Sequence, residues 1–255
     1  MRVAMIQMDM QLGKPEANFE KAEKLVRVAA ELKPDVITLP ETWNTGFFPR
    51  ENLKEASDVD LEQTKKLFSR LAKEYRVNII AGSVANCRDE KIYNTAAVFS
   101  RDGEVVMEYD KVHLFSPSGE HEYFEHGKNI CNFELDGIPC SLVICYDIRF
   151  PELIRSEMLA GSKVQFVVAQ WPDTRLLHWD TLNRARAIES QSFLCCTNSV
   201  GTAGNTKCGG HSAVYGPMGE CLVLGGDTDG RYGDWSSRWG QRFDQCLSGS
   251  AAGSI

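Results

Sequence analysis

Three short apolar segments of this chain each end at a chemically reactive side chain. Val-Ile-Thr-Leu-Pro precedes Glu41, Val-Val-Met-Glu-Tyr-Asp precedes Lys111, and Ser-Leu-Val-Ile precedes Cys145. Apolar, β-branched runs of this length predict β-strands. In α/β proteins, reactive groups collect in the crevice beyond the carboxyl ends of the strands. The chain is therefore predicted to bring together a carboxylate, an amine and a thiol, which suit a covalent hydrolase as base, oxyanion stabiliser and nucleophile.

Helical and strand patterns alternate along the chain, and hairpin turns interrupt the alternation. The predicted helices cover residues 15–32, a segment capped by Asp60, residues 151–160 and residues 176–191. Further predicted strands cover residues 3–9, 78–85, 93–100, 104–110, 163–169, 193–199, 212–216 and 220–224. Hairpin turns are predicted at residues 101–103 and 136–137. This pattern indicates mixed sheets with helices on the outside.

The composition is that of a soluble globular protein, and it limits the possible partners. Of the 255 residues, 43% are hydrophobic and 25% are charged, as in ordinary globular chains. The net charge of −7, without a basic cluster, argues against nucleic acid and against an anionic membrane surface. No segment approaches the ~18 apolar residues that a membrane span needs. Nine cysteines without a Cys-x-x-Cys pair predict reduced, buried thiols in a cytoplasmic protein.

Cys145 is the candidate nucleophile from its local sequence. A strand stops there and Pro151 begins a helix soon afterwards, so the turn between them is similar to a nucleophile elbow. Lys111 would lower the pKa of the thiol and then bind the oxyanion together with the backbone N–H of Tyr146. From these residues alone, a buried structural cysteine and a solvated lysine remain open alternatives. A Cys–His pair with His113, as in thiol proteases, is a less favoured arrangement.

The same segments resemble the three signature blocks of the nitrilase superfamily of carbon–nitrogen hydrolases, in both order and spacing. The blocks are Leu39-Pro40-Glu41-Thr42-Trp43, Asp110-Lys111-Val112-His113-Leu114-Phe115 and residues 144–152. Further agreement lies in Trp171-Pro172, His178-Trp179, residues 184–189 and Gly210-His211-Ser212. The likeness covers residues 1–224. It is strongest for the ω-amidase-like branch, which hydrolyses the side-chain amide of 2-oxo acids.

This resemblance implies a fold, an assembly and three catalytic roles. The fold would be a four-layer α-β-β-α sandwich of two mixed β-sheets flanked by helices, and a homodimer would form across a helical face that includes residues 176–191. Cys145 would attack the substrate and form a thioester. Glu41 would act as the general base, and Lys111 would stabilise the oxyanion.

A second acidic residue is also implied by the resemblance. Glu120 lies seven residues before Gly127 and would orient the lysine or the substrate, with Glu122 and Glu125 as alternatives. Two histidines lie in the same stretch, but such a cluster is more typical of a solvated loop than of a metal site. Neither a metal nor an organic cofactor is expected.

The substrate groups are expected on loops at the same crevice. The predicted lining residues are Phe115, Tyr146, Trp171 and Arg175. The guanidinium of Arg175 would suit the carboxylate of a 2-oxo acid. Asp147 and Arg149, just past the nucleophile, are expected to pair with each other and hold the elbow.

The expected function is hydrolysis of a small 2-oxo acid amide by a cytoplasmic homodimer or higher homo-oligomer. An N-carbamoyl amino acid amidohydrolase or a nitrilase would use the same three residues. An inactive binding or scaffold protein of this fold is the alternative from another class. Residues 1–224 are expected to form the hydrolase domain. Residues 225–255, rich in Gly, Ser, Asp and Arg, are expected to form an atypical C-terminal tail and not a separate domain.

Overall fold

Two six-stranded β-sheets lie face to face in the computed structural model, which describes residues 1–47 and 49–227. The first sheet contains β1 (Val3–Met5), β2 (Val36–Thr38), β3 (Asp58–Val59), β4 (Asn78–Arg88), β5 (Lys91–Phe99) and β6 (Val105–Asp110). The second sheet begins with β7 (Asn132–Leu135), β8 (Ile138–Ile144), β9 (Val164–Ala169) and β10 (Phe193–Asn198). A separate hairpin follows, formed by β11 (Val200–Ala203) and β12 (Thr206–Gly209). The second sheet is completed by β13 (Ala213–Tyr215) and β14 (Cys221–Leu224).

Helices cover the outer face of each sheet. Those described are α1 (Pro15–Ala30), α2 (Leu53–Ala56), α3 (Glu62–Tyr75), α4 (Pro151–Leu159) and α5 (Leu176–Ser190). Val26 of α1 and Phe68 of α3 share an apolar cluster with Ala4 of β1, whereas Val3 and Met5 pack against the second sheet. On the far side, α4 contacts β8 and α5 contacts β10. The layers are therefore α-β-β-α, as predicted from the sequence.

The reactive ends of the strands meet at one edge of the sandwich. In the first sheet β1, β2 and β4 are parallel, and in the second β8, β9 and β10 are parallel. Glu41 follows β2, Lys111 directly follows β6, and Cys145 directly follows β8. Near this edge, the hydroxyls of Thr38 and Thr197 form a buried hydrogen bond that joins the two sheets.

The prediction that Asp60 caps the second long helix is wrong. The carboxylate of Asp58 accepts the backbone N–H groups of Gln63 at 3.0 Å and Thr64 at 2.8 Å, which are the orphan donors at the start of α3. Asp60 and Leu61 both have positive φ, +51° and +58°, so the chain loops back before the helix begins. A cap supplied from outside the helix cannot be identified by local spacing alone.

The hairpin of β11 and β12 was not predicted from the sequence. Its segment is rich in Gly and Thr and has no regular apolar alternation, which is the signal on which strand prediction rests. It nevertheless lies near the edge of the sandwich at which β2, β6 and β8 end, because the N–H of Gly209 donates to the carbonyl of Trp171, just after β9, at 3.1 Å. The turns predicted at residues 101–103 and 136–137 both join antiparallel strands.

Several remaining features concern the cysteines and the chain end. The eight cysteines among the described residues are free; seven are buried and Cys221 is exposed. Near the end of the described chain, the carbonyl of Gly226 still accepts the side chain of Gln7 at 2.9 Å. Most of the predicted tail, residues 228–255, lies outside the described residues. Within the described ranges, no helix is long and apolar enough to cross a membrane.

Candidate active site

A tight turn after β2 places Glu41 between the two sheets. The carbonyl of Pro40 accepts the N–H of Ser83 at 3.1 Å. At the neighbouring Gly82, φ is +65°, and a Cβ atom would lie 1.9 Å from that same carbonyl oxygen, so this close approach requires glycine. The side chain of Glu41 is completely buried as a result.

Lys111 is also completely buried, and one ammonium therefore lies between two carboxylates. Its Nζ donates to Oε1 of Glu41 at 2.7 Å and to both oxygens of Glu120, at 3.0 and 2.9 Å. The N–H of Gly127 donates to the carbonyl of Lys111 at 2.9 Å. A Cβ atom on Gly127 would lie 1.9 Å from the carbonyl oxygen of Asp110, so glycine allows the two segments to meet behind the lysine.

Of the three acidic candidates in the loop after the lysine, only Glu120 enters the site. Glu120 is buried, and its Oε2 accepts the N–H of Phe115 at 2.5 Å. Glu122 is exposed, and Glu125 forms a surface ion pair with Lys91 at 3.3 Å. The structure therefore places the second carboxylate at the residue favoured by the sequence resemblance.

Two residues that complete the network were not singled out from the sequence. Nδ2 of Asn94 donates to Oε1 of Glu41 at 2.9 Å and to Oε1 of Glu120 at 3.1 Å. The backbone N–H of Gln170, just after β9, donates to Oε2 of Glu41 at 2.8 Å. Polar Asn94 beside the apolar run of β5 is a weak sequence signal. The Gln170 contact leaves no signal in the sequence, since any residue except proline supplies a backbone N–H.

Cys145 begins a short 3₁₀ turn directly after β8 and has a φ of +46°. The carboxylate of Asp147 holds this turn, because it accepts the N–H of Ile144 at 3.1 Å and the hydroxyl of Tyr109 at 2.8 Å. It also accepts the N–H of His113 at 2.8 Å and lies 2.9 Å from that residue's Nδ1. His113 thus supports the elbow through Asp147, which does not fit the alternative of a Cys–His pair.

The predicted pair between Arg149 and Asp147 is wrong. Residues two apart in a 3₁₀ turn lie on different sides of it, and Asp147 points into the core whereas Arg149 is only half-buried. Cζ of Arg149 lies 5.1 Å from the ring centroid of Trp171, and its Nη2 lies 3.1 Å from Nδ1 of His178. The guanidinium therefore lies beside Trp171, in the wall of the cavity described below.

The electrostatics of the thiol also differ from the prediction. Burial raises the pKa of Cys145 well above its usual range, and the negative charge of Glu41 raises it further; Lys111 lowers it, but not enough to compensate. Burial by itself would lower the pKa of Lys111, but the charges of Glu120 and Glu41 raise it well above its ordinary value. At neutral pH the resting site therefore holds a neutral thiol beside a protonated lysine.

A cavity of about 270 Å³ opens beside Cys145 and Lys111. All four predicted substrate residues line it, namely Phe115, Tyr146, Trp171 and Arg175. Cζ of Arg175 lies 4.8 Å from the ring centroid of Phe115, and Arg149 lines the same cavity. Neither arginine forms an ion pair with a carboxylate within the described part of the chain. The cavity wall thus presents two cations on aromatic surfaces, close to a thiol and an ammonium.

Comparison with known proteins assigns this chain to a family. Residues 2–230 match the sequence profile of the carbon–nitrogen hydrolases, and the chain belongs to that family. The superfamily predicted from the three sequence blocks is therefore confirmed, and the chain is an enzyme of the hydrolase class.

Individual relatives agree with this assignment. The chain is 40% identical over 228 residues to the 2-oxoglutaramate amidase of Bacillus subtilis, and the aligned region covers 89% of this chain and 87% of that protein. It is 41% identical over 224 residues to the hydrolase in the agr operon of Staphylococcus aureus, covering 87% and 85%. Among solved structures it is similar to XC1258 from Xanthomonas campestris, a CN-hydrolase superfamily protein with an arsenic adduct in its active site. The TM-score is 0.84 at 28% identity, over 100% of this chain and 98% of that one.

The Glu41→Gln substitution should change thiol reactivity and turnover in opposite directions. It removes one charge that raises the pKa of Cys145 and leaves Lys111, which lowers it. Alkylation of Cys145 by iodoacetamide should therefore begin at a lower pH than in the wild type, while turnover falls by roughly 10²–10⁴-fold. The rate is measured against pH by mass spectrometry of the peptide that carries Cys145. Glu122→Gln, an exposed control, should leave both properties unchanged, and alkylation of Glu41→Gln only at the wild-type pH or above would contradict the electrostatic account.

Proposed function

We propose that this hydrolase is an ω-amidase that converts the side-chain amide of a short 2-oxo dicarboxylic acid, such as 2-oxoglutaramate or 2-oxosuccinamate, to the acid and ammonia. The observation that carries the proposal is the cavity that joins Cys145 and Lys111 to two arginines, Arg149 and Arg175. A substrate with an amide at one end and a carboxylate at the other matches such a cavity. The name of the Bacillus subtilis relative, 2-oxoglutaramate amidase, supports the same substrate class.

The hydrogen bonds of the two carboxylates support different roles for them. Glu120 accepts two bonds from Lys111, one from Asn94 and one from the N–H of Phe115. Its acceptor sites, about four for a carboxylate, are filled, so it acts as a fixed anion that orients the lysine. Glu41 accepts three bonds and retains capacity to receive a proton. We therefore assign the general base to Glu41.

The proposed reaction follows from this assignment. Sγ of Cys145 attacks the amide carbon while Glu41 accepts the thiol proton. The tetrahedral oxyanion is stabilised by Nζ of Lys111 and by the backbone N–H of Tyr146. Glu41 then returns the proton to the leaving nitrogen, ammonia departs, and a thioester remains on Cys145. Glu41 accepts a proton from water as that water attacks the thioester, the carboxylic acid is released, and Glu41 returns the proton to the sulfur of Cys145.

The proposed function is tested by an ammonia-release screen. Its substrates are 2-oxoglutaramate, 2-oxosuccinamate, glutamine, N-carbamoyl amino acids, butyramide and simple nitriles. The 2-oxo amides should have the highest kcat/KM, because they join an amide to a carboxylate without the ammonium that glutamine places beside the two arginines, whereas butyramide and the simple nitriles have no carboxylate. Faster hydrolysis of a nitrile or of an N-carbamoyl amino acid would contradict the ω-amidase proposal. No hydrolysis of any of these substrates would favour the inactive scaffold alternative.

The cationic wall is tested on the same substrates by Arg175→Ala and Arg149→Ala. If each guanidinium binds the carboxylate, each substitution removes a charge-assisted hydrogen bond and should lower kcat/KM for 2-oxoglutaramate by roughly 10- to 150-fold. The loss should lie mainly in KM. Butyramide, which is neutral, should be much less affected. Arg155→Ala provides a matched control, since Arg155 is exposed on α4 and does not line this cavity.

Comparable losses on 2-oxoglutaramate and butyramide would exclude that arginine from carboxylate binding. A loss in only one of the two variants would assign the carboxylate to that arginine alone. The two cations lie on different elements, Arg149 in the turn after Cys145 and Arg175 just before α5, so their effects can be separated.

We further propose that the enzyme works as a cytoplasmic homodimer. On α5, Leu177 and Ile188 are exposed by 77% and 49%, and Met218 in the turn after β13 is exposed by 85%. Trp179 of the same helix is fully buried and packs on Trp171. A monomer mass by light scattering at micromolar concentration would contradict the dimer. A cytoplasmic location suits a reactive thiol that must stay reduced, and recovery outside the cytoplasm on cell fractionation would contradict it.

A further inference from the structure

Asn94 makes a contact to the active site that the proposed reaction does not use. Its side-chain amide is completely buried, and the two N–H groups of Nδ2 are directed at Oε1 of Glu41 and Oε1 of Glu120. In the reverse orientation, Oδ1 would face two carboxylate oxygens and be repelled. These two contacts therefore show that the nitrogen of the amide, and not its oxygen, faces the carboxylates.

The position of Asn94 in the sheet allows it to reach both acids. In the order β1-β2-β4-β5-β6, β5 lies beside β6, which leads to Lys111, and two places from β2, which leads to Glu41. The carbonyl of Asn94 also accepts the N–H of Lys111 at 2.9 Å. One residue thus binds the lysine through its backbone and both carboxylates through its side chain.

Charge explains why a neutral donor is needed at this position. Two carboxylates and one ammonium leave one uncompensated negative charge in a buried site, and like charges at close range favour protonation of one acid. A protonated Glu41 could not accept the thiol proton. Hydrogen bonds from a neutral donor favour the charged form of a carboxylate without cancelling its charge, which a second cation would do.

We infer that Asn94 is a positioning residue that keeps Glu41 and Glu120 ionised together and fixed around Lys111. The inference rests on the proposed role of Glu41 as the general base. The titratable groups of this network are Glu41, Glu120, Lys111 and, through its charge coupling to all three, Cys145. Asn94 does not line the cavity, so it acts through these groups and not on the substrate.

The test is the pH profile of kcat/KM for Asn94→Asp and Asn94→Leu. The aspartate is isosteric but replaces two donors with an acceptor and adds a like charge. The leucine has the same branched shape, is larger, and has no donor. In both variants the acidic limb should move to higher pH by about one to two units, and further in the aspartate variant. This limb reports the coupled acids as a group. At neutral pH, kcat should fall while KM stays near the wild-type value, for both charged and neutral amides.

Asn18 offers a matched control on α1. It is also buried, and its Nδ2 also donates to two oxygens, the carbonyls of Gln11 at 2.8 Å and Asn44 at 2.9 Å. Asn18→Asp and Asn18→Leu should lower the melting temperature but leave the acidic limb unchanged. If the Asn94 variants lose stability in the same way and keep the wild-type limb, Asn94 is only structural and the inference is overturned.

The outcome can be separated from that of the proposed function. The profile can be measured with whichever substrate the ammonia screen identifies, so a different amide would not affect it. Near-normal activity of Glu41→Gln would contradict the proposed base. An inactive Glu41→Gln together with an unshifted limb in both Asn94 variants would contradict the role of Asn94 alone. If the leucine variant does not fold, Asn94→Ala, which removes both donors without adding charge or bulk, decides the question.

Discussion

The buried ammonium of Lys111 is the interaction on which the rest of the site depends. Removing an ion from water costs several kcal/mol unless partners replace its hydration, and breaking a buried pair typically costs about 3–5 kcal/mol. Glu41 and Glu120 supply those partners at 2.7 to 3.0 Å. The carboxylates need donors in turn, which come from the side chain of Asn94 and from backbone N–H groups. These groups lie on both sheets, so the charged network can be complete only when the sheets pack face to face.

The same network bears on how Cys145, the proposed nucleophile, is activated. A stable thiolate would need a net positive surrounding, whereas burial and the charge of Glu41 keep the pKa of Cys145 high. The thiol is therefore neutral at rest, and its proton must leave during the attack on the substrate. In this account the site is arranged for proton transfer to Glu41, and Lys111 acts mainly on the charge that develops on the substrate oxygen.

Much of this arrangement could be predicted from the sequence, because the reactive residues directly follow apolar runs. Position after a strand made Glu41, Lys111 and Cys145 candidates without any knowledge of their contacts, and the family resemblance implied their roles and added Glu120. Asn94 could not be found in this way, since its partners come from other strands and its own strand has no distinctive pattern.

The errors have a common physical origin. The pairing of Arg149 and the net direction of the Cys145 pKa shift depend on orientation and burial, which short-range spacing does not encode. Asp60 was predicted as the helix cap for the same reason, whereas the chain turns at Asp60 and Leu61 and the carboxylate of Asp58 meets the start of the helix. Strand ends are thus visible in the sequence, whereas the contacts that tune the groups placed there are not.

The covalent intermediate tests the central claim most directly. The enzyme is mixed with 2-oxosuccinamate, quenched in acid during turnover and digested, and each cysteine peptide is weighed by mass spectrometry. The account predicts an acyl group, equal to the substrate less ammonia, on the peptide that carries Cys145, and none in Cys145→Ala. An adduct on Cys195 or Cys208 instead, or continued turnover by Cys145→Ala, would contradict it.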